Sequence, residues 1–233
     1  MLAALPEAER GTSRLLSNVA VMLTQHGRLA EAEALMRKRV AAWRAKHGDR
    51  DPNTLAALNN LALNLREQGK LAEAEPLFHE ALAAEREVNG NNALSTMQDA
   101  GNLGTVLLAQ GKLAEAEPLL VEAVAWWRKK TSWGGIYNGA LVELRREQGR
   151  LAEAEQELGT LVADLRESMG PQRPSTLEAE AVAARLRHAQ PEGAAAGAAE
   201  LRDVGGRMTE FLGAAHQVTA KWQRVLEGMS ADS

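Results

Sequence analysis

The phrase Gly69-Lys-Leu-Ala-Glu-Ala-Glu75 occurs four times in this chain, with either lysine or arginine at its second position. The other copies begin at Gly27, Gly111 and Gly149, so the four glycines are 42, 42 and 38 residues apart. A period of this length is typical of stacked helix pairs, in which each unit contacts only its neighbours. The sequence therefore predicts a repeat array rather than one globular core.

The residues around the second copy predict two amphipathic helices joined by a turn. Apolar residues recur every three or four positions on both sides of Gly69. Asp51 followed by Pro52 is typical of a helix start, and a glycine such as Gly69 suits the left-handed residue that ends a helix. The same pair is expected at 13–26 with 29–47, at 94–110 with 113–130, at 136–148 with 151–169, and at 176–190 with a degraded partner.

Small residues at fixed distances from the turn make these units resemble tetratricopeptide repeats. Ala62 lies seven positions before Gly69 and Ala74 lies five after it. The approach His47-Gly48-Asp-Arg-Asp-Pro52-Asn-Thr-Leu55 is similar to the kinesin light chain type, which uses a longer loop between repeats. The resemblance covers about residues 12–190. It implies an all-α, right-handed alpha-alpha superhelix that binds peptides or partner proteins in a concave groove lined by the first helices.

The repeat register predicts the organisation of the chain. We expect an N-terminal extension over 1–11, the array over 12–190 and a C-terminal segment over 191–233. The units are expected at 12–53, 54–95, 96–134 and 135–175, with a degenerate fifth unit from 176. In the last segment we expect a weak helix, a hinge at Gly205-Gly206 and a helix from Met208 to Leu226 that caps the array. The alternatives for this last helix are dimerisation and docking on a membrane surface.

Three asparagines, Asn18, Asn60 and Asn102, each lie nine residues before a turn glycine and predict a column on one face. A carboxamide offers two donors and an acceptor, which match the backbone of an extended peptide. Several tetratricopeptide families use a similar asparagine ladder in the groove. The alternative is that these asparagines only brace neighbouring helices. The flanking groove positions are Arg14, Ser17, Asn59, Arg66, Gln98 and Thr105.

Charged and aromatic residues give two further candidate contacts. Arg14 and Arg66 could meet a ligand carboxylate, although an exposed arginine is often simply solvated. The stretch from Trp126 to Trp133 combines rings with cations, a pattern that can stack on bases or lie at a membrane interface. Packing explains it more simply, because Trp43 occupies the position equivalent to Trp127. Trp126 and Trp133 are candidate residues of a partner-binding edge.

Composition argues against several classes of function. The formal net charge of −4 gives no overall footprint for nucleic acid or an anionic membrane. The chain has no cysteine, which excludes disulfides, zinc-thiolate sites and cysteine nucleophiles. Its five histidines are scattered, and no phosphate loop or nucleophile elbow occurs. We therefore expect no catalysis, metal or cofactor.

The resulting hypothesis is a cytoplasmic adaptor or scaffold that binds a protein or peptide ligand, with no nucleic-acid or membrane partner and with a monomer favoured. No run of apolar residues is long enough for a membrane span, and the first ten residues lack the pattern of a signal peptide. One alternative is a structural protein that self-assembles through its C-terminal helix. Another is a fragment of a kinesin light chain-like cargo adaptor, although the sequence lacks the heptad coiled coil of those proteins.

Overall fold

The structure is a computed structural model that describes the backbone of residues 14–131 and 137–231 and the side chains of residues 16–130 and 137–227. These residues form eleven α-helices and no strand. The helices are α1 Arg14–Gln25, α2 Leu29–His47, α3 Pro52–Glu67, α4 Leu71–Asn89, α5 Leu94–Ala109, α6 Leu113–Thr131, α7 Asn138–Glu147, α8 Leu151–Ser168, α9 Pro174–His188, α10 Ala194–Leu212 and α11 Gln217–Ala231. The all-α class and the helix pairing predicted from the repeats are confirmed.

The repeated glycine ends the first helix of each pair. Gly69 has a φ of +75°, and the glycines at the other three copies have φ between +73° and +75°. At this turn the Lys70 N–H donates to the Leu65 carbonyl at 2.9 Å, which closes the helix end in a Schellman arrangement. Because side chains with a Cβ rarely adopt positive φ, glycine recurs at this position.

The chain divides into two compact units, residues 1–123 and 124–233. In the first unit, the alanines that follow each turn glycine by five positions are fully buried, and so are apolar residues of the helix pairs such as Leu58, Leu65 and Phe78. Gly104 occupies the position at which the preceding repeat has Ala62. A Cβ on Gly104 would lie 2.8 Å from Cγ of Leu120, so the glycine permits a close approach of α5 and α6.

Ion pairs connect successive repeats of the first unit. Lys70 donates to Glu33 at 2.7 Å, and Lys112 donates to Glu75 at 2.6 Å. The Lys70 hydrogen bond is the main cause that lowers the pKa of Glu33, to about 2. The glutamates of the repeated phrase thus do more than complement the dipole of their own helix, since they also hold the lysine of the following turn.

In the second unit, the prediction of a hinge at Gly205-Gly206 is wrong. Both glycines lie inside α10, and the chain turns instead at Gly213, which has a φ of +85°. A Cβ on Gly205 would lie 2.8 Å from Cδ1 of Leu226. Gly205 is therefore a point of close approach between α10 and α11, which explains why glycine occurs there without a break in the helix.

The apolar stripe predicted as one capping helix belongs to two helices. Met208 lies near the end of α10 and Trp222 in the middle of α11. Trp222 is only 2% exposed and packs in a cluster with residues of α9 and α10, among them Leu177 and Leu201. The Thr219 hydroxyl donates to the Met208 carbonyl at 3.3 Å. The last helix is therefore docked against its own chain by these contacts.

Candidate peptide-binding site

Two of the predicted groove asparagines are exposed and one is engaged. Asn18 and Asn60 are exposed on α1 and α3. Asn102, on α5, is only 6% exposed, and its Nδ2 donates to Oδ1 of Asn59 at 3.2 Å. This bond braces α3 against α5. Of the three asparagines, only Asn18 and Asn60 are exposed to solvent.

A cavity brings two predicted residues together in the first unit. It encloses about 170 Å³ between α1, α2 and α3, and both Ser17 and Asn60 line it. Apolar side chains such as Met36 and Leu63 form much of the remaining wall. Among the described residues, neither the Ser17 side chain nor the Asn60 side chain has a hydrogen-bond partner. Both are therefore available to a ligand.

Two deeper polar groups of this cavity, the side chains of Thr24 and Asn64, are already paired. The Thr24 hydroxyl donates to the Ala20 carbonyl at 3.0 Å and accepts a long bond of 3.5 Å from Nδ2 of Asn64. Oδ1 of Asn64 accepts from Nε2 of Gln68 at 2.7 Å. This network fixes one wall of the cavity and leaves Ser17 and Asn60 at the ligand-accessible side.

The remaining predicted groove residues lie in different settings. The Arg14 side chain falls outside the described residues. Arg66 is half-buried and has no ion pair or side-chain hydrogen bond within the described part of the chain. Gln98 is half-buried. The Thr105 hydroxyl donates to the Gly101 carbonyl of its own helix at 2.8 Å, so it is occupied locally.

Of the predicted aromatic edge, the structure describes Trp126, which packs against neighbouring side chains. Trp126 is half-buried and meets Trp127 edge to face, with ring centroids 5.3 Å apart. The Lys130 ammonium lies 5.6 Å from the Trp126 ring centroid, within cation–π range. Trp133 lies outside the described residues. The described part of this segment thus supports packing more than partner binding.

Sequence reasoning missed Arg39, which also lines the first-unit cavity. Its Nε is buried without a hydrogen-bond acceptor, and burial lowers the pKa of its guanidinium. The signal was present in the repeat register. Arg39 lies twelve residues after the turn glycine Gly27. At the same distance from their own turn glycines, the next two repeats carry Ala81 and Ala123.

A wider cavity of about 690 Å³ lies between α8, α9 and α10 of the second unit. Its charged residues neutralise one another. Buried Glu180 accepts from Nε of Arg166 at 2.7 Å and also from Arg207, and Arg187 pairs with both Glu155 and Glu200. These groups have less to offer a ligand than the unpaired groups of the first-unit cavity.

No described helix is long and apolar enough to cross a membrane. Within the described residues, no group of three or more histidine, aspartate or glutamate side chains is placed to hold a metal ion.

Comparison with known proteins agrees with the repeat architecture. The sequence model of the tetratricopeptide repeat matches residues 11–87 and 54–129, which together span more than half of the chain. The chain belongs to the tetratricopeptide repeat family. Proteins of this family typically act as scaffolds for protein interaction and are generally non-catalytic. No curated protein sequence matches this tetratricopeptide repeat protein.

Solved structures share its fold. The nearly identical TPR-like repeats of a kinesin light chain-like protein from Podosopora anserina superpose with a TM-score of 0.78 at 22% identity, covering 88% of this chain and 98% of that one. BtubC from P. vanneervenii gives 0.62 at 16% identity, covering 95% and 83%. Rap protein complexed with Competence and Sporulation Factor gives 0.63 at 13% identity, covering 98% and 66%. These similarities show that the chain shares the tetratricopeptide fold of these proteins.

Proposed function

We propose that this tetratricopeptide repeat protein is a non-catalytic adaptor that binds an extended peptide segment of a partner protein. The proposed binding surface comprises Ser17 and Asn60, which line the cavity of the first compact unit, together with the exposed Asn18 next to Ser17 in the chain. The observation that carries the proposal is the open cavity of about 170 Å³, whose lining includes Ser17 and Asn60, two side chains that have no partner within the described residues. Groups of this kind exchange hydrogen bonds to water for hydrogen bonds to a ligand, and no hydrogen bond within the protein has to break.

Two further points support this function. An extended peptide presents alternating carbonyl and N–H groups, and the carboxamides of Asn18 and Asn60 can pair with both kinds. The Rap protein, which shares the fold, was crystallised with Competence and Sporulation Factor. A ligand-bound relative fits a binding role for the present chain.

The double change Asn18→Ala and Asn60→Ala should weaken partner binding at least about tenfold, because each carboxamide can contribute hydrogen bonds of about 0.5–1.5 kcal/mol. Both side chains are exposed, so the melting temperature should not change. Partners captured from host lysate would be identified by mass spectrometry, and their affinities for both proteins measured by calorimetry.

Two control variants sharpen this test. Asn91→Ala removes an exposed asparagine from the loop between α4 and α5 and should bind as the wild type does. Asn102→Ala breaks the bond to Asn59 and should lower the free energy of unfolding by about 1–2 kcal/mol. If the Asn18 and Asn60 double variant kept wild-type affinity for every partner, the proposed surface would be refuted.

A further inference from the structure

Arg39 occupies a position where its repeat neighbours have a small buried residue. Ala81 and Ala123 lie at the equivalent positions of the next two repeats, and neither is exposed at all. In those repeats the alanine is fully enclosed by its neighbours. In the first repeat the same position carries the guanidinium of Arg39, which lines the cavity. The repeat fold therefore does not require an arginine at this position, since it forms with alanine at the equivalent positions.

Other arginines of α2 are neutralised, whereas Arg39 is not. Arg37 pairs with Glu33 at 2.8 Å and with Glu73 at 2.6 Å, and Arg44 pairs with Asp49 at 3.0 Å. Within the described residues the Arg39 side chain has neither an ion pair nor a hydrogen bond. A partly buried cation without a partner lowers stability, and an anionic ligand group beside Arg39 would offset that cost.

The surroundings of Arg39 favour an anion attached to a short apolar stem. Ala57 and Met36 supply apolar wall, while Ser17 and Asn60 supply donors that no protein group uses. Glu67 also lines the cavity, but it is exposed and hence screened by solvent. No carboxylate of the described residues offsets the burial that lowers the pKa of Arg39.

We propose that this cavity is a subsite for the carboxylate of a glutamate or aspartate side chain in the bound peptide. The proposal rests on the proposed function and specifies one residue class of the ligand. A volume of about 170 Å³ suits one side chain, since a cavity of ~150 Å³ in another protein holds benzene. The Arg39 guanidinium donates charge-assisted hydrogen bonds to the carboxylate, and Ser17 and Asn60 supply further donors.

The test uses three short peptides as probes and the intact chain. Acetyl-Ala-Glu-Ala-amide carries only a side-chain carboxylate, acetyl-Ala-Gln-Ala-amide is its neutral isostere, and acetyl-Ala-Ala-Ala with a free C-terminus carries only a main-chain carboxylate. Each is titrated into the millimolar range while the Nε–Hε resonance of Arg39 and the side-chain amide resonances of Asn60 are followed by NMR. The glutamate peptide should shift both signals and bind at least about tenfold more tightly than the glutamine peptide.

Variants separate the role of the guanidinium from that of the fold. Arg39→Met retains an apolar stem and should abolish the preference for glutamate over glutamine, while Arg39→Lys should keep part of it. Arg37→Ala removes a cation from the same helix outside the cavity and should leave the preference unchanged. Circular dichroism would show that all three variants fold, as expected when Ala81 and Ala123 occupy the equivalent position.

Each remaining outcome contradicts a defined claim. Equal binding of the glutamate and glutamine peptides through Asn60, with the Arg39 signal unmoved, would overturn the carboxylate subsite and leave the proposed function standing. A shift of Arg39 only with the free C-terminus would overturn the assignment to a side chain. If no peptide moved either signal, both the subsite and the groove proposal would be contradicted.

Discussion

Raising the pH from about 5 to about 8 should lower the free energy of unfolding by roughly 3 kcal/mol, because Asp99 must then ionise inside the protein. Asp99 lies on α5, is only 2% exposed, and has one carboxyl oxygen, Oδ1, that is buried without a hydrogen-bond partner. Burial is the main cause that raises its pKa to about 7, and the nearby Glu85 carboxylate adds to the shift. The side chain is therefore protonated in the folded state below neutral pH.

The sign follows from the proton balance of the two states. Between the ordinary pKa of 3.8 and the folded value of about 7, the folded chain holds one proton more at Asp99 than the unfolded chain. Stability therefore declines with rising pH across this window, by about 1.4 kcal/mol per pH unit, and levels off above about pH 7. Glu33 acts in the opposite direction only in acid, since its pKa is lowered to about 2.

Urea denaturation of the wild type and of Asp99→Asn, measured at several pH values from about 5 to about 8, tests this expectation. The variant cannot titrate at this position, so its stability should exceed that of the wild type by an amount that grows with pH. Glu87→Gln removes an exposed carboxylate that pairs with Arg50 and serves as the control. Parallel pH curves for the wild type and Asp99→Asn would show that Asp99 does not carry the dependence.

The repeat register explains why this carboxylate is exceptional. Asp99 lies twelve residues before its turn glycine, and the preceding repeat has Ala57 at the equivalent position. Glu85 lies sixteen residues after Gly69, and the neighbouring repeats have Trp43 and Trp127 at the equivalent positions. At each of these two positions, at least one neighbouring repeat has an apolar residue. Asp99 and Glu85 place two carboxylates there instead, within the first compact unit. Asp99→Ala, which restores the residue type of the preceding unit, should also remove the pH dependence.

The sequence predicted backbone features better than side-chain partners. The glycine phrase located the turns, and the positive φ of Gly69 and its equivalents follows from the local chemistry of a helix end. The prediction of a hinge at Gly205-Gly206 was wrong because a glycine can mark either a break or a close approach, and at Gly205 only the position of Leu226 distinguishes the two. Local sequence does not contain that contact.

The candidate site was predicted in part for a related reason. Ser17 and Asn60 line one cavity because the repeat register places them on the first helices of two successive repeats, α1 and α3. The register could not show that Asn102 bonds to Asn59, since that bond depends on rotamers in two helices. Arg39 could have been found from the sequence by comparing it with Ala81 and Ala123, but its lack of an ionic partner required the structure.

Trp222→Ala should destabilise the second unit by about 3–5 kcal/mol, the usual cost of removing a large buried aromatic side chain. Trp222 is 2% exposed and fills the space between α9, α10 and α11, where Met208 and Leu177 contact the same cluster. Hydrogen exchange should therefore become faster in all three helices, while α3 and α5 in the first unit keep their protection. Trp222→Phe is the matched control, because it keeps most of the apolar volume and removes an indole N–H that has no acceptor.

The same variant separates a capping helix from one that joins copies of the chain. Because the apolar residues of α11 already pack on α9 and α10, the wild type should sediment as a monomer at all concentrations, and Trp222→Ala should keep that mass while losing protection. If α11 instead joined two chains, the wild-type mass would rise with concentration, and Trp222→Ala would dissociate the dimer with little change in the exchange of α9. That result would favour self-assembly over an adaptor that works as a single chain.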